Sequence, residues 1–137
     1  IALNTSGTRL AADEHAYGKA IVSALGPDKG YVIDCGRNGL GAFDPEAQEP
    51  GDPYFFPPTH PDYDDLHWLN SPGRGIGARP NLNVNQSLHP GCDALLWTKS
   101  PGGSDGDDNR GHPGAGTFDP YEALALRARA VPRFPKV

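Results

Sequence analysis

The sequence contains no methionine, only two cysteines and no long apolar run. Because no stretch approaches the roughly 18 apolar residues of a membrane span, we predict no membrane partner. Lys and Arg number 12 against 17 Asp and Glu, so no basic stripe is available to neutralise phosphates. This balance argues against a nucleic-acid partner. Two cysteines leave the redox compartment open, and the lack of methionine predicts a mature or fragmentary chain.

The composition predicts a small core that carries long loops. Hydrophobic residues make up only 36% of the sequence, whereas there are 18 glycines and 15 prolines. This mixture is typical neither of a helical bundle nor of a disordered tail. The net charge of -5 suits a neutral substrate such as a polysaccharide, although solubility alone explains it equally well.

The apolar pattern of the first third predicts a strand, a helix and a second strand. Residues 1–5 are expected to end a strand. Residues 11–25 have helical spacing, and the glycine and proline that follow should stop the helix. Residues 31–33 form a compact apolar run, as in a buried parallel strand. Together they predict one βαβ unit.

Two further elements are predicted after a long irregular stretch. Residues 36–90 are rich in Gly, Pro, Asn and Asp, and a loop of that length is uncommon unless it is functional or disordered. A third strand is predicted at residues 93–98. A last helix at about residues 120–130 should begin with Asp119 as its N-cap. Three strands make only part of an α/β sheet or barrel, so a missing N-terminal part or a partner should cover their edges.

Polar residues cluster where the predicted strands end. In parallel α/β folds the chemistry gathers at the carboxyl ends of the strands. Residues 4–7, 34–38 and 99–105 are therefore expected to face one another, with Trp68 in the loop above them. A cleft with carboxylates, a lysine, an arginine and an exposed tryptophan suits a carbohydrate, because indole faces stack on sugar rings.

Each of these residues also has an ordinary structural explanation. Asp34 could simply satisfy backbone donors at a turn, and Trp68 could belong to the core. Lys99 could be solvated, and Asp105 could be a turn residue in a glycine-rich loop. The residues alone leave these alternatives open.

Six short segments, in order along the chain, carry a further signal. They are residues 1–6 (IALNTS), 12–17 (ADEHAY), 32–39 (VIDCGRNG), 68–77 (WLNSPGRGIG), 96–106 (LWTKSPGGSDG) and 114–118 (GAGTF). These segments resemble motifs of glycoside hydrolase family 6, the inverting cellulases. The resemblance extends over nearly the whole chain.

The resemblance implies roles for individual residues. Asp105 matches the aspartate proposed as catalytic base or as stabiliser of the charge that develops in the sugar ring. Lys99 matches a lysine that binds substrate hydroxyls, and Trp68 matches a tryptophan that stacks on a sugar. Asp34 and Arg37 match a segment to which we assign structural support.

The resemblance also implies the fold and the activity. Residues 1–137 are expected to be the C-terminal part of one catalytic domain, an α/β fold forming part of a distorted (β/α) barrel with parallel strands and long loops. The expected activity is inverting hydrolysis of β-1,4-glucan by a secreted enzyme without cofactor or metal. The loop at residues 100–117 is short, which favours endo-action. The general acid is expected in the N-terminal part; the alternative is a decayed scaffold that binds carbohydrate or has a structural role.

The chain departs from the family at three positions. Gly103 replaces a substrate-binding glutamate, Gly7 replaces a substrate-binding asparagine, and Leu69 replaces a cysteine. The two glycine changes imply either a different sugar or lost activity. Cys35 and Cys92 should lie at opposite ends of parallel strands, so we predict that they are not bonded to each other.

Overall fold

The computed structural model describes residues 1–41, 70–106 and 111–134. Its regular elements follow the order strand, helix, strand, strand, helix. They are β1 (Ala2–Leu3), α1 (Ala11–Leu25), β2 (Tyr31–Asp34), β3 (Cys92–Leu96) and α2 (Pro120–Ala128). The helices in the described part of the chain lack the length and apolar composition of a membrane span.

The three strands form one parallel sheet in the order β1-β2-β3. The register pairs Leu3 with Ile33 and Asp34 with Leu96. Since parallel strands share one direction, the segments that follow all three emerge at the same edge. One core cluster is formed by buried residues of this sheet and its ends: Leu3, Tyr31, Ile33, Cys35 and Cys92.

Helix α1 has the bounds predicted from its spacing and packs against β2. It stops at Gly26, whose φ of 107° suits glycine. At its start the buried Glu14 carboxylate pairs with Arg9 at 3.1 Å. The predicted βαβ arrangement is therefore confirmed. Helix α1 returns the chain to the edge where β1 begins, so β2 runs parallel to β1.

Gly18 allows α1 to approach β2 closely. A Cβ atom built at Gly18 would lie 2.6 Å from a ring carbon of Tyr31, which is fully buried. Gly18→Ala should therefore lower the free energy of unfolding by about 1–3 kcal/mol, despite the better helix propensity of alanine. Urea unfolding measures this change. Ser23→Ala, on an exposed position of the same helix, is the control and should be neutral or slightly stabilising.

The strands and the last helix differ slightly from their predicted bounds. β1 ends at Leu3 because Asn4, at φ 55°, leaves the extended conformation. β3 starts one residue before the predicted range of 93–98 and ends at Leu96, where β2 no longer provides a pairing partner. α2 ends at Ala128, two residues early, because the Ala130 N–H donates to the Arg127 carbonyl oxygen, three residues back, and no longer continues the helical pattern.

Helix α2 starts as predicted. The Asp119 carboxylate accepts hydrogen bonds from the N–H groups of Tyr121 and Glu122, at 2.9 and 3.1 Å. The other carboxylate oxygen contacts the buried His112 ring at 2.9 Å. Asp119 therefore links the helix to the loop that follows β3. A second core cluster lies under α2, with Ile76, Leu126 and Ala130 at its centre.

Two histidines stack near the start of β2, away from the ends of the strands. The rings of His15 and His89 lie 3.7 Å apart with an angle of 15° between their planes. His15 Nδ1 also lies 3.1 Å from the Tyr31 hydroxyl. Burial, and then the neighbouring His89, lower the pKa of His15 below 6.5. Neutral His15 is therefore favoured in the folded state.

This pair should make the fold sensitive to mild acid. A lowered folded-state pKa means that the unfolded chain binds more protons below pH 6.5. Stability should be full above that pH and fall as the pH decreases from it. We expect the urea midpoint to fall from pH 7.5 to 5.5, and to fall less in His89→Gln, which removes one source of repulsion. Equal slopes in the two proteins would contradict this explanation.

Candidate active site

Asp34 joins the segments that follow the three strands. Its Oδ2 atom accepts from the N–H groups of Ser6 and Lys99, each at 3.0 Å, and from the Thr98 hydroxyl. Its Oδ1 atom accepts from Gly36 N–H at 3.0 Å. Both oxygens are thus occupied by donors of the chain itself. Of the two explanations that the sequence left open, this geometry matches the structural one.

Asp105 lies between two cationic side chains. Lys99 Nζ is 2.8 Å from its Oδ1 atom, and Arg37 Nη1 is 2.5 Å from its Oδ2 atom. Arg37 is buried, and its other terminal nitrogen donates to the Ser6 carbonyl oxygen. The three strand-end segments predicted to converge are therefore in contact. Arg37 does more than support the fold, because it pairs directly with the candidate carboxylate.

The surroundings of Asp105 keep it ionised. Burial alone would raise the pKa of this carboxyl, but the hydrogen bonds from Arg37 and Lys99 outweigh that effect. The backbone N–H of Asn70 adds a third donor at 2.8 Å. The pKa of Asp105 therefore lies below its ordinary value, and the side chain carries a negative charge over the whole physiological range.

Lys99 is ion-paired rather than freely solvated. Its ammonium group donates to the Ser104 carbonyl oxygen at 3.1 Å besides pairing with Asp105. An ammonium has three N–H donors, and contacts within the described part of the chain use two of them. The third donor is left for a ligand hydroxyl. The side chain is 17% exposed, which leaves that donor accessible.

The two glycines that depart from the family have different surroundings. A Cβ atom at Gly7 would lie 2.2 Å from Asn4 Oδ1, so the Asn4 side chain fills that space. A Cβ atom at Gly103 would lie 3.2 Å from the Ser100 carbonyl oxygen and 3.6 Å from Lys99 Cε. The position beside Lys99 can therefore accept a side chain after a small adjustment, whereas a side chain at Gly7 requires the Asn4 side chain to move.

Trp68 lies outside the described residues, so its predicted stacking on a sugar stays a prediction. Cys35 and Cys92 are free thiols, so they are not bonded to each other, as predicted. Cys92 pairs in register with Tyr31, whereas Cys35 follows four residues later, roughly 13 Å along the strand. Burial raises the pKa of the Cys35 thiol to about 11, which makes it unreactive.

Asn70 is the residue that sequence reasoning missed. Its backbone and side chain both bond to Asp105, although 35 positions separate the two residues. No periodicity or spacing rule connects positions that far apart. The strand-end rule did find Arg37 and Lys99, because both follow strands directly.

The fold and the site together define a class of protein. It is an α/β protein with a polar cluster at the carboxyl edge of a parallel sheet, where enzymes of this architecture carry their reactive groups. Within that class, the chain belongs to the glycosyl hydrolases family 6, whose family model matches residues 3–129.

Solved structures of this family resemble the chain. The endoglucanase Cel6 from Mycobacterium tuberculosis, in complex with methyl-cellobiosyl-4-deoxy-4-thio-β-D-cellobioside, is 36% identical, with a TM-score of 0.69 over 94% of this chain and 36% of that one. A family 6 enzyme from Orpinomyces sp. Y102 is 26% identical, with a TM-score of 0.70 over 98% of this chain and 39% of that one.

A more distant structure shows the fold alone. The cellobiohydrolase Cel6A from Humicola insolens is 20% identical, with a TM-score of 0.65 over 98% of this chain and 40% of that one. The chain thus spans about two fifths of the length of these structures. The predicted fold class, part of a distorted β/α barrel, is confirmed.

Proposed function

We propose that this chain, with the rest of its catalytic domain, hydrolyses β-1,4-glucosidic bonds of cellulose or a related β-glucan with inversion. The observation that carries the proposal is Asp105, an ionised carboxylate held by Arg37 and Lys99 at the ends of parallel strands. Inversion requires a general acid for the leaving group and a general base for the attacking water, typically two carboxyl groups roughly 6.5–9.5 Å apart. We assign that acid to the part of the domain outside this chain.

The geometry favours one of the two roles considered for Asp105. A carboxylate that already accepts hydrogen bonds from Arg37, Lys99 and Asn70 is a weak proton acceptor, since protonation would break these interactions. Its negative charge, however, persists when positive charge develops in the sugar ring. We therefore assign Asp105 the stabilisation of that charge, while Lys99 binds a substrate hydroxyl. The attacking water then gives its proton to a base that we assign, like the general acid, to the part of the domain outside this chain.

The mode of attack is part of this proposal. The chain is 36% identical to an endoglucanase. We propose endo-action in an open cleft, consistent with the short loop at residues 100–117. We also propose that the protein acts outside the cell, where polymeric glucan is found.

The remaining part of the domain should cover the apolar surface of this chain. Phe118, Tyr121 and Leu124 are 63%, 67% and 62% exposed, on and just before α2. β1 lies at one end of the sheet order. Exposed aromatic clusters and open strand edges are unfavourable in water. We therefore propose that these 137 residues form the C-terminal part of one catalytic domain.

The decisive test is the release of reducing ends from a soluble β-glucan by the complete protein. Hydrolysis that gives the inverted anomeric product, detected by NMR, would support the proposal. A protein that binds the glucan but releases no reducing ends would instead be a carbohydrate-binding scaffold. The open position beside Lys99, at Gly103, is the observation that favours this second function.

Gly103→Glu separates the two functions further. If the chain is an enzyme with a weakened subsite, the added carboxylate should contact substrate and raise kcat/KM about 2- to 10-fold, the value of one hydrogen bond. Gly7→Asn is the matched comparison and should destabilise the fold, because Asn4 occupies the space. Steady-state kinetics and urea unfolding of both variants measure these effects. A Gly103→Glu protein with unchanged kinetics would show that this subsite does not limit activity.

A further inference from the structure

Asn70 holds both the carboxylate and the backbone of Asp105. Its backbone N–H donates to Asp105 Oδ2 at 2.8 Å. Its side-chain oxygen accepts from the Asp105 N–H at 2.7 Å, and its side-chain nitrogen donates to the Gly106 carbonyl oxygen at 2.9 Å. Asn70 is 2% exposed, so water does not compete for these bonds. One residue thus connects two loops at the candidate carboxylate.

The backbone conformation of Asn70 restricts which residues could do this. Its φ of 43° lies in the left-handed region, which asparagine, aspartate and glycine adopt most readily. Glycine has no side chain, and the side chain of ionised aspartate has no N–H to donate. Among these three residue types, only asparagine satisfies both the Asp105 N–H and the Gly106 carbonyl oxygen.

The other partners of Asp105 do not replace this contact. Arg37 and Lys99 reach the carboxylate through long side chains and provide charge. Lys99 also donates to the Ser104 carbonyl oxygen, but among the described contacts neither residue bonds to the Asp105 N–H or to the Gly106 carbonyl oxygen. The Asn70 side chain restrains these two backbone groups, while the Asn70 N–H selects the position of Oδ2. The orientation of the carboxylate therefore depends on Asn70.

We propose that Asn70 is a positioning residue that sets the orientation of the Asp105 carboxylate towards the substrate. The inference rests on the proposed hydrolase function and deepens it. A carboxylate that is displaced by a fraction of an ångström still permits binding, but it stabilises the transition state less well. Loss of the Asn70 side chain should therefore affect kcat much more than KM.

The test uses Asn70→Gly and Asn70→Asp in the complete protein. Glycine keeps the backbone conformation and the N–H donor but removes both side-chain bonds. Its kcat on a soluble β-glucan should fall about 10- to 100-fold, with little change in KM. Aspartate keeps the size and places a second carboxylate beside Asp105. It should raise the pKa of Asp105, measured by carboxyl 13C NMR and assigned with Asp105→Asn.

The outcomes separate this inference from the proposed function. If Asn70→Asp moves the Asp105 titration upward in a protein that hydrolyses no glucan, the positioning role stands and the hydrolase proposal fails. If both Asn70 variants keep the wild-type kcat and the Asp105 titration does not move, the positioning role is overturned. If Asn70→Asp does not fold, the kcat and KM of Asn70→Gly decide alone. Asn83→Asp, on an exposed loop, is the matched control and should match the wild type in every readout.

Discussion

Asp105→Asn is expected to lower kcat on a soluble β-glucan on the order of 100- to 10,000-fold. The substitution keeps the size of the side chain and removes the negative charge that lies between Arg37 and Lys99. The proposed role of Asp105, the stabilisation of positive charge in the sugar ring, depends on that negative charge. KM should change much less, because Lys99 and the remaining surface still bind the glucan.

The same substitution should destabilise the fold. Without the carboxylate, the Arg37 guanidinium is a buried charge without its anionic partner, and we expect a loss of about 2–4 kcal/mol in urea unfolding. The pKa of Asp105 is lowered in the folded state, so the difference from the asparagine variant should be full above the ordinary value of 3.8 and disappear in stronger acid.

Asp28→Asn, which removes an exposed aspartate in the turn after α1, is the control for Asp105→Asn and should change neither stability nor activity by a measurable amount. An Asp105→Asn protein with full activity would remove this residue from the mechanism. If that protein also kept its full stability, the ion pairs of Asp105 would make no measurable contribution to the free energy of unfolding.

Arg37→Met is expected to lower the free energy of unfolding by about 3–5 kcal/mol. Arg37 is only 4% exposed and joins Asp105 to the Ser6 carbonyl group, so its loss separates two strand ends. It also removes one of the two cations that keep Asp105 ionised. The pKa of Asp105 should rise, and the acidic limb of the kcat profile should move to higher pH.

Arg37→Lys tests whether charge alone is enough. A single ammonium group cannot reproduce the planar fork that contacts Asp105 and the Ser6 carbonyl group together, so this variant should be intermediate in stability and activity. Arg127→Met, on the exposed last turn of α2, is the matched control and should lie within about 0.5 kcal/mol of the wild type. If Arg37→Met behaved like Arg127→Met, the ion pair would have no role in the fold.

Local sequence patterns predicted the regular elements well because those elements depend on local physics. The bounds of α1 follow from the spacing of its apolar residues and from Gly26, which stops the helix. The start of α2 follows from Asp119, whose carboxylate caps two N–H groups only a few residues away. The end of β3 was predicted two residues too late, at residue 98 instead of Leu96, because a strand ends where its partner strand ends.

The site was predictable only in outline. The rule that reactive groups gather after parallel strands predicts from the sequence alone that Lys99 and Asp105 lie near residues 34–38. It could not decide that both Asp34 oxygens accept hydrogen bonds from backbone N–H groups while Arg37 pairs with Asp105. Those choices depend on side-chain directions and on distances between loops that are remote in sequence.

The sequence by itself determined the order of the elements, the parallel sheet, the resemblance to one family and the free cysteines, because periodicity, turn residues and motifs are properties of the linear chain. Only the tertiary structure decided that Asp105 is held ionised by Arg37 and Lys99, and that Asn70 positions it. The physical reason is that a pKa and a carboxylate orientation depend on charges and donors within a few ångströms. Here those groups come from three separate segments of the chain, around Arg37, Asn70 and Lys99.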